Sequence, residues 1–354
     1  MNSKVDLNKK FISFLEQTKN QEHKSVTHLN DRVLIVDGLN TFIRSFAVNP
    51  SINDDGMHIG GVVGFLRSVR YTCDILKPSR CIIVFDGKGG SVRRRKLYPE
   101  YKANRKVKKR FNRNIKWGTA PQDEEESMKQ QMGRLIEYLE QLPLTLVSVD
   151  GIEADDTMAY ISQQLLPKSD CILMSTDKDF LQLVDDRVKV WSPTKKKLYN
   201  KQTVLEEFGI PSRNILTYRI LDGDKSDNIN GVQGVGLKSL IKYIPKITED
   251  EDFDVRNLLE FVENSDSKIK LLENIKNSSN IIKRNYLLMQ LQKVDIPKHT
   301  MRKIQNTING DVPQLVKYKF QTMFIKDKLQ SAIKNFDSWI MEFTRLDRFR
   351  GLNN

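Results

Sequence analysis

The chain has 354 residues, 39% of them hydrophobic and 29% charged, and a net charge of +13. That length allows a large core and two lobes. No apolar run approaches the roughly 18 residues that cross a bilayer, and the opening MNSKVDLNKKFISFLEQTKN lacks the apolar centre of a secretion signal, so an intracellular, non-membrane protein is expected. Cys73, Cys81 and Cys171 show no CxxC spacing and the four histidines are scattered, which argues against a disulfide framework, a zinc site and a His-centred nucleophile.

Residues 1–30 are polar apart from one apolar knot, FISFLE, and read as a short helix or arm outside the core; the knot residues Phe11, Ile12, Phe14 and Leu15 either pack on the protein's own sheet or tether it to a sliding clamp. Short apolar runs bounded by turn residues follow: RVLIVDG at 32–38, CIIVFDG at 81–87, LTLVSVDG at 144–151, CILMSTD at 171–177 and VKVW at 188–191. Runs of this length, rich in Val and Ile, predict strands buried on both faces. Between them, 123–142 carries Met128, Met132, Leu135, Ile136, Leu139 and Leu142 on one helical face before Pro143. Strands alternating with helices predict an α/β fold with a mostly parallel central sheet. From about residue 200 the texture becomes helical, with Thr203 and Glu206 spaced as a capping box and an acidic linker at 249–254.

The positive charge is local. Lys88 to Lys116 holds thirteen Lys or Arg against the single acid Glu100. A stretch of this kind suits nucleic acid or an acidic membrane surface. Tyr98, Pro99, Tyr101, Phe111 and Trp117 interrupt any basic amphipathic helix, which favours nucleic acid over the membrane; a solvated loop without a ligand is the alternative.

Acids gather where the predicted strands end. Asp37, Asp86 and Asp177 each close an apolar run, Asp179 follows, and Glu153, Asp155 and Asp156 come after a fourth strand. One such Asp is ordinarily a turn or helix cap. Four strand ends delivering acids point instead to the crevice beyond the carboxyl edge of a parallel sheet, where ligands bind. Oxygen donors without Cys or convergent His suit Mg²⁺, with Mn²⁺ as a substitute. More acids than one ion uses suggest two ions, the arrangement that stabilises both attacking and leaving oxygens of a phosphodiester. Glu153 and Asp155 lie about 200° apart on a regular helix, so they can share a site only at a helix start. Asp224 and Asp227 in LDGDKSDNI extend the set; counted as a calcium loop from Asp222, that segment ends on Gln233 where Glu is needed, so it is not an EF-hand. GVQGVG, Gly231 to Gly236 with Gly234 between, opens a helix without a preceding strand and presents backbone N–H groups suited to a phosphate, flanked by Lys238 and Lys242. An ordinary tight helix–helix turn is the alternative for that segment.

In order, VDG, FDGKGGSVRRRKLYPEYKANR, GIEADD, STDKDF and GDKSDNINGVQGVG resemble the 5′ nuclease (flap endonuclease) superfamily, bacteriophage branch, including phage-type ribonuclease H. The resemblance runs from about 31 to 297. It implies a PIN-like nuclease core with a helical arch, and a helical lobe in which GVQGVG is the turn of a helix-hairpin-helix-like element that can hold K⁺. By that resemblance Asp37, Asp86, Glu153 and Asp155 surround one metal with Asp156 adjoining, and Asp177, Asp179, Asp224 and Asp227 serve a second. Lys102 and Arg105 would contact the scissile phosphate, with Arg94 near them. Arg93, Arg95 and Lys96 would contact the nucleic acid, and Tyr101 would stack on a base. The expected organisation is an N-terminal arm at 1–30, the core at 31–200 with the basic arch at about 87–121, a DNA-binding lobe at 201–310 and a C-terminal extension at 311–354. The implied activity is 5′–3′ exonuclease and flap endonuclease on branched or flapped duplex DNA and RNA–DNA hybrid. The expected protein is a monomer, in the host cytoplasm if phage-encoded, with a sliding clamp and single-strand-binding protein as candidate partners. The competing readings are a non-catalytic structure-specific DNA-binding protein and a PIN-type ribonuclease.

Overall fold

The computed structural model describes residues 26–106, 112–115, 121–265 and 269–352. The proposed tether at Phe11–Leu15 and parts of the expected arch, 107–111 and 116–120, lie outside them. In chain order the first part contains β1 (Arg32–Asp37), α1 (Gly38–Val48), α2 (Gly60–Leu76), β2 (Arg80–Asp86), α3 (Val92–Leu97), α4 (Pro121–Leu139), β3 (Thr145–Val149), α5 (Ala154–Tyr160), β4 (Asp170–Met174), β5 (Val188–Ser192) and β6 (Lys197–Tyr199). The rest is α6 (Lys201–Phe208), α7 (Ile215–Asp222), the small hairpin β7 (Gly223–Asp224) and β8 (Ile229–Asn230), then α8 (Leu237–Tyr243), α9 (Val255–Glu263), α10 (Lys270–Asn277), α11 (Ser279–Met289), α12 (Lys298–Asn309), α13 (Lys317–Lys326) and α14 (Phe336–Asp347).

The six main strands form one sheet of order β3-β2-β1-β4-β5-β6, parallel except for β6, which pairs antiparallel with β5. All five apolar runs read as strands are strands. The edge strand β6 was not anticipated, because three residues, Lys-Leu-Tyr, are too few to show a period. The chain steps outward from β1 to β2 and β3, then returns across β1 to β4. Strand order therefore reverses between β1 and β4, which opens a crevice beyond their carboxyl ends.

Alternation along β1 splits the core in two. Val33 and Ile35 point into one apolar cluster with Ala154, Met158, Ile220, Leu288 and Ile304, while Leu34 and Val36 point into another with Phe42, Leu66, Leu135, Phe320 and Phe343. The segment expected as a C-terminal extension is thus a layer of the core: Phe320, Trp339 and Phe343 pack among α1, α2 and α4 residues. Arg134 binds Asp327 at 2.6 Å, and Leu29 N donates to Leu352 O at 2.8 Å, tying the two ends of the described chain together.

Two local expectations shift. The helix expected over 123–142 is α4, which ends at Leu139, with 140–142 forming turns ahead of Pro143. The capping box lies three residues earlier than Thr203–Glu206: Asn200 caps α6, accepting from Thr203 N at 2.8 Å, while Thr203 Oγ1 accepts from Asn200 N at 2.8 Å. Asn is as good a cap as Thr, and the residue before the apolar spacing begins takes the role.

Candidate metal centre and nucleic-acid interface

Each acid is placed by the element it ends or begins. Asp37 closes β1 and caps α1, accepting from Asn40 N at 3.0 Å; it is 6% exposed. Asp86 closes β2 and accepts from Ala154 N at 2.9 Å. Ser175, just after β4, links two strand ends, because its Oγ donates to Asp37 at 3.0 Å and accepts from Asp177 N at 3.1 Å. Asp177 caps the short helical turn Lys178–Leu183, accepting from Asp179 N at 2.8 Å. Glu153 is the cap position of α5 with extended backbone, φ −77° and ψ 153°, while Asp155 and Asp156 occupy the first helical turn. That is the helix-start geometry the spacing required. Asp224 lies on β7 and Asp227 in the turn to β8, so the hairpin carries them to the same crevice. Gly231 lets the chain leave the hairpin: a Cβ there would meet Asp222 O at 2.3 Å.

The acids fall into two electrostatic groups. In one, burial and mutual repulsion dominate. Asp37 is pushed up to about 7, mainly by burial, with Asp86 and Asp177 adding to it. Asp179 also rises to about 7, from burial and then the Asp177 charge, against the pull of Arg219. Asp155 is raised well above its ordinary value by burial and by Asp177 and Asp37; among the described residues no hydrogen-bond donor reaches it. Asp177 rises for the same first reason, burial, with Asp224 and Asp227 adding to it. Carboxyls crowded this way hold protons in the absence of a stronger cation. Oxygens of Asp177, Asp179 and Asp224 lie within 4.8 Å of one another, a spacing that one cation can bridge.

In the second group, protein cations already answer the charge. Arg94 is 5% exposed and donates to Glu153 at 2.5 Å, to both oxygens of Asp156 at 2.7 and 2.9 Å, and to Leu288 O at 2.8 Å. Burial alone would raise Glu153, but Arg94 and Lys102 overcome it and hold the carboxyl below its ordinary value. Arg94 was expected near the scissile phosphate; in this geometry all three of its nitrogens are spent on buried carboxylates and a carbonyl. Tyr101, expected to stack on a base, is 3% exposed, and its hydroxyl lies 3.1 Å from Glu153 and 3.0 Å from Asp227, with one proton to donate between them. Its ring faces Lys102, whose ammonium lies 4.8 Å from the centroid, so the aromatic surface is covered.

Lys102 and Arg105 do face the acids. Lys102 Nζ donates to Glu153 at 2.6 Å and lies 3.7 Å from Asp227, and Arg105 pairs with Asp227. Lys102 has φ +57°, a left-handed conformation uncommon for a non-glycine residue and typical of constrained sites; Lys102 N donating to Asp227 O at 2.8 Å helps hold it there. Arg93 lies 3.5 Å from Asp156 and 3.3 Å from Asp295, while Arg95 and Lys96 are exposed on α3. The expected arch, as far as it is described, is α3 followed by a single helical turn at Ala103–Lys106. At the glycine-rich turn, Gly234 has φ +77° and Lys238 and Lys242 are exposed on α8.

Sequence reasoning missed Arg219. It is 5% exposed on α7 and donates to Asp179 at 2.8 Å and Asp224 at 2.6 Å, tying the helical lobe to the acids. The available signal was a lone cation in the otherwise apolar ILTYRIL, since a buried Arg is rarely without acidic partners.

A profile described as the 5′–3′ exonuclease N-terminal resolvase-like domain matches residues 32–209. The chain is 32% identical over 214 residues to a 5′–3′ exonuclease of Aquifex aeolicus, covering 60% of this chain and 68% of that protein. It is 30% identical over 240 residues to DNA polymerase I of Rhizobium leguminosarum, covering 65% of this chain but only 22% of the polymerase. In fold it is similar to the bacteriophage T5 flap endonuclease solved as a pseudo-enzyme–product complex with DNA and metal ions, with a TM-score of 0.60 and 23% identity over 84% of this chain and 100% of that one. The strand-end acids and the hairpin that completes their crevice therefore stand on a scaffold shared with known proteins, and this chain belongs to the 5′–3′ exonuclease family defined by the N-terminal resolvase-like domain.

Proposed function

We propose that the chain is a divalent-metal-dependent 5′–3′ exonuclease with flap endonuclease activity. Its substrates are branched or flapped duplex DNA and RNA–DNA hybrid, and it removes RNA primers and adjoining DNA in phage-type replication, with ribonuclease H activity. The observation that carries the reading is the set Asp37, Asp155, Asp177 and Asp179, all pushed up by burial and one another, beside Lys102 and Arg105. A fold that keeps such a group needs a cation to neutralise it.

The donor set fits Mg²⁺ or Mn²⁺, since it consists of carboxylate oxygens. Asp37, Asp86, Glu153 and Asp155 would hold one ion, with Asp156 steadying Arg94 behind them; Asp177, Asp179, Asp224 and Asp227 would hold the second. Bound there, the ions would supply Lewis-acid stabilisation of the attacking and leaving oxygens of a phosphodiester. Lys102 and Arg105 are paired with Glu153 and Asp227, so they meet a phosphate already oriented rather than recruited from solvent. The exposed Arg95, Lys96, Lys238 and Lys242 would contact the sugar-phosphate backbone, and Arg93 would join them at the cost of its contact to exposed Asp295. K⁺ at the Gly231–Gly236 turn rests on the family resemblance, and the sliding clamp on the apolar knot at Phe11–Leu15; the single-strand-binding protein, the monomeric state and the host cytoplasm are expectations from the sequence.

The test is cleavage of a 5′-labelled flap on duplex DNA, and of an RNA-primed duplex, with Mg²⁺ and with EDTA. Short 5′-labelled products from both substrates, in Mg²⁺ only, are expected. Tight binding without cleavage under any divalent ion would sink the nuclease and leave a non-catalytic, structure-specific DNA-binding protein.

A further inference from the structure

Within the basic stretch one neutral residue has surroundings unlike its neighbours. Asn112, between Phe111 and Arg113, is 0% exposed, whereas Arg113 and Asn114 are exposed. Asn112 Nδ2 donates to Phe46 O at 2.8 Å and Asn49 O at 3.1 Å, carbonyls at the C-terminal end of α1. Asn112 N donates to Glu124 Oε1, on α4, at 2.7 Å, and Asn112 Oδ1 accepts from Asn114 N at 2.9 Å.

A second layer locks the first. His58 Nε2 lies 2.8 Å from Asn49 O, which can only accept, so Nε2 carries the proton. Gln131 Nε2 donates to His58 Nδ1 at 3.1 Å and to His58 O at 2.8 Å, and Gln131 Oε1 accepts from Gly61 N at 2.9 Å at the start of α2. Gly60 must lack a side chain here, since a Cβ would sit 2.0 Å from Asn49 O. One asparagine thus joins the basic stretch to the end of α1 and, through Glu124, to the first part of α4, while His58 and Gln131 link the same end of α1 to the start of α2 and the middle of α4. The middle of the stretch is tied elsewhere, to the hairpin carrying Asp224 and Asp227: Asn104 Nδ2 donates to Lys225 O at 2.9 Å, and Asn228 Nδ2 to Glu100 O at 2.8 Å.

We propose that Asn112 is a positioning residue for nucleic-acid binding, a clasp that fixes the second end of the basic stretch against α1 and α4. The inference rests on the proposed nuclease function. With Asn112 in place the adjacent, exposed Arg113 meets the phosphate backbone in a set position; without it Arg113 must be ordered at the moment of binding, and the cost falls on affinity. The metal-site acids lie on other elements, so turnover of bound substrate is unaffected.

The experiment measures Kd for a flapped duplex in EDTA, and kcat and KM in Mg²⁺, for the full chain and for N112A, E124A and E124Q, well below their unfolding temperatures. N112A and E124A should each raise Kd and KM ~10-fold while kcat changes less than about twofold. E124Q keeps an acceptor for Asn112 N and should behave as the unaltered chain. Combining N112A with E124A should weaken binding little beyond either alone, because both release the same end. Unchanged Kd and KM in folded N112A and E124A, or a loss confined to kcat, would overturn the proposal. If N112A does not fold, E124A against E124Q decides it; if E124A does not fold either, the contact is structural and the positioning role is wrong. Absence of cleavage by the unaltered chain would strike the nuclease reading, while Kd in EDTA still reports on the clasp.

Discussion

Glu153, Asp155 and Asp156 stand within four positions, yet each answers to different neighbours. Glu153 and Asp156 share the Arg94 guanidinium; Asp155 points toward Asp37 and Asp177. The sequence shows three acids at a helix start and cannot show this division, because Arg94 and Tyr101 come from a segment some fifty residues earlier whose charge reads as solvent-facing. Asp37, Asp86, Asp177 and Asp179 were legible because each ends or follows a strand, a local cue; Arg219 was not, because the acids it hydrogen-bonds, Asp179 and Asp224, lie outside its own helix. Lys102 is the residue whose role the geometry tests most sharply. Its left-handed backbone and its 2.6 Å contact to Glu153 aim the ammonium at the acids. A contact to the reacting phosphate contributes chiefly in the transition state, so Lys102→Ala should lower kcat by at least about tenfold and change duplex affinity less than about threefold. Equal losses in both, from single-turnover rates and Kd, would remove Lys102 from the reaction.

The strands were read from runs of Val and Ile, and that signal survives because every residue of such a run is buried from both sides. Where an element is short or its role depends on distant chain, the reading fails: β6 has three residues, and the C-terminal helices show apolar stripes without showing that they cover α2 and α4. Turns hold a middle position, and glycines separate them from helices. Gly231 closes on backbone, with Asp222 O 2.3 Å and Leu221 O 2.4 Å from a Cβ, while Gly133 on α4 has nothing within 4 Å. Gly231→Ala should therefore destabilise the protein by about 1–3 kcal/mol. Gly133→Ala should stabilise it by about 0.5–1 kcal/mol, since only helix propensity changes. Denaturant midpoints check both; a stabilising Gly231→Ala would mean that the turn is not packed as described.

Across the molecule, charge is distributed so that the acidic crevice is strained without a cation. Asp37 and Asp179, both near 7 in the folded state, and the raised Asp155 and Asp177 bind protons that the unfolded chain releases near 4. Their contribution is present at low pH and is lost as pH rises through the folded values. Metal-free protein should therefore lose stability between about pH 5.5 and 8, and Mg²⁺ should offset the loss by replacing the protons. His58, lowered by burial, acts in the opposite sense in the same window, as one group against four. Urea unfolding in EDTA and in Mg²⁺ at both pH values measures this, and equal Mg²⁺ stabilisation at the two would contradict it. The role proposed for the carboxylates is to hold ions for phosphodiester hydrolysis. Its most direct test is the single-turnover rate of flap cleavage across Mg²⁺ concentrations for the unaltered chain, Asp155→Asn and Asp179→Asn, with duplex affinity measured alongside. The expected result is a Mg²⁺-dependent rate that falls at least about a hundredfold in both variants while affinity is retained; undiminished cleavage in both would rule that role out.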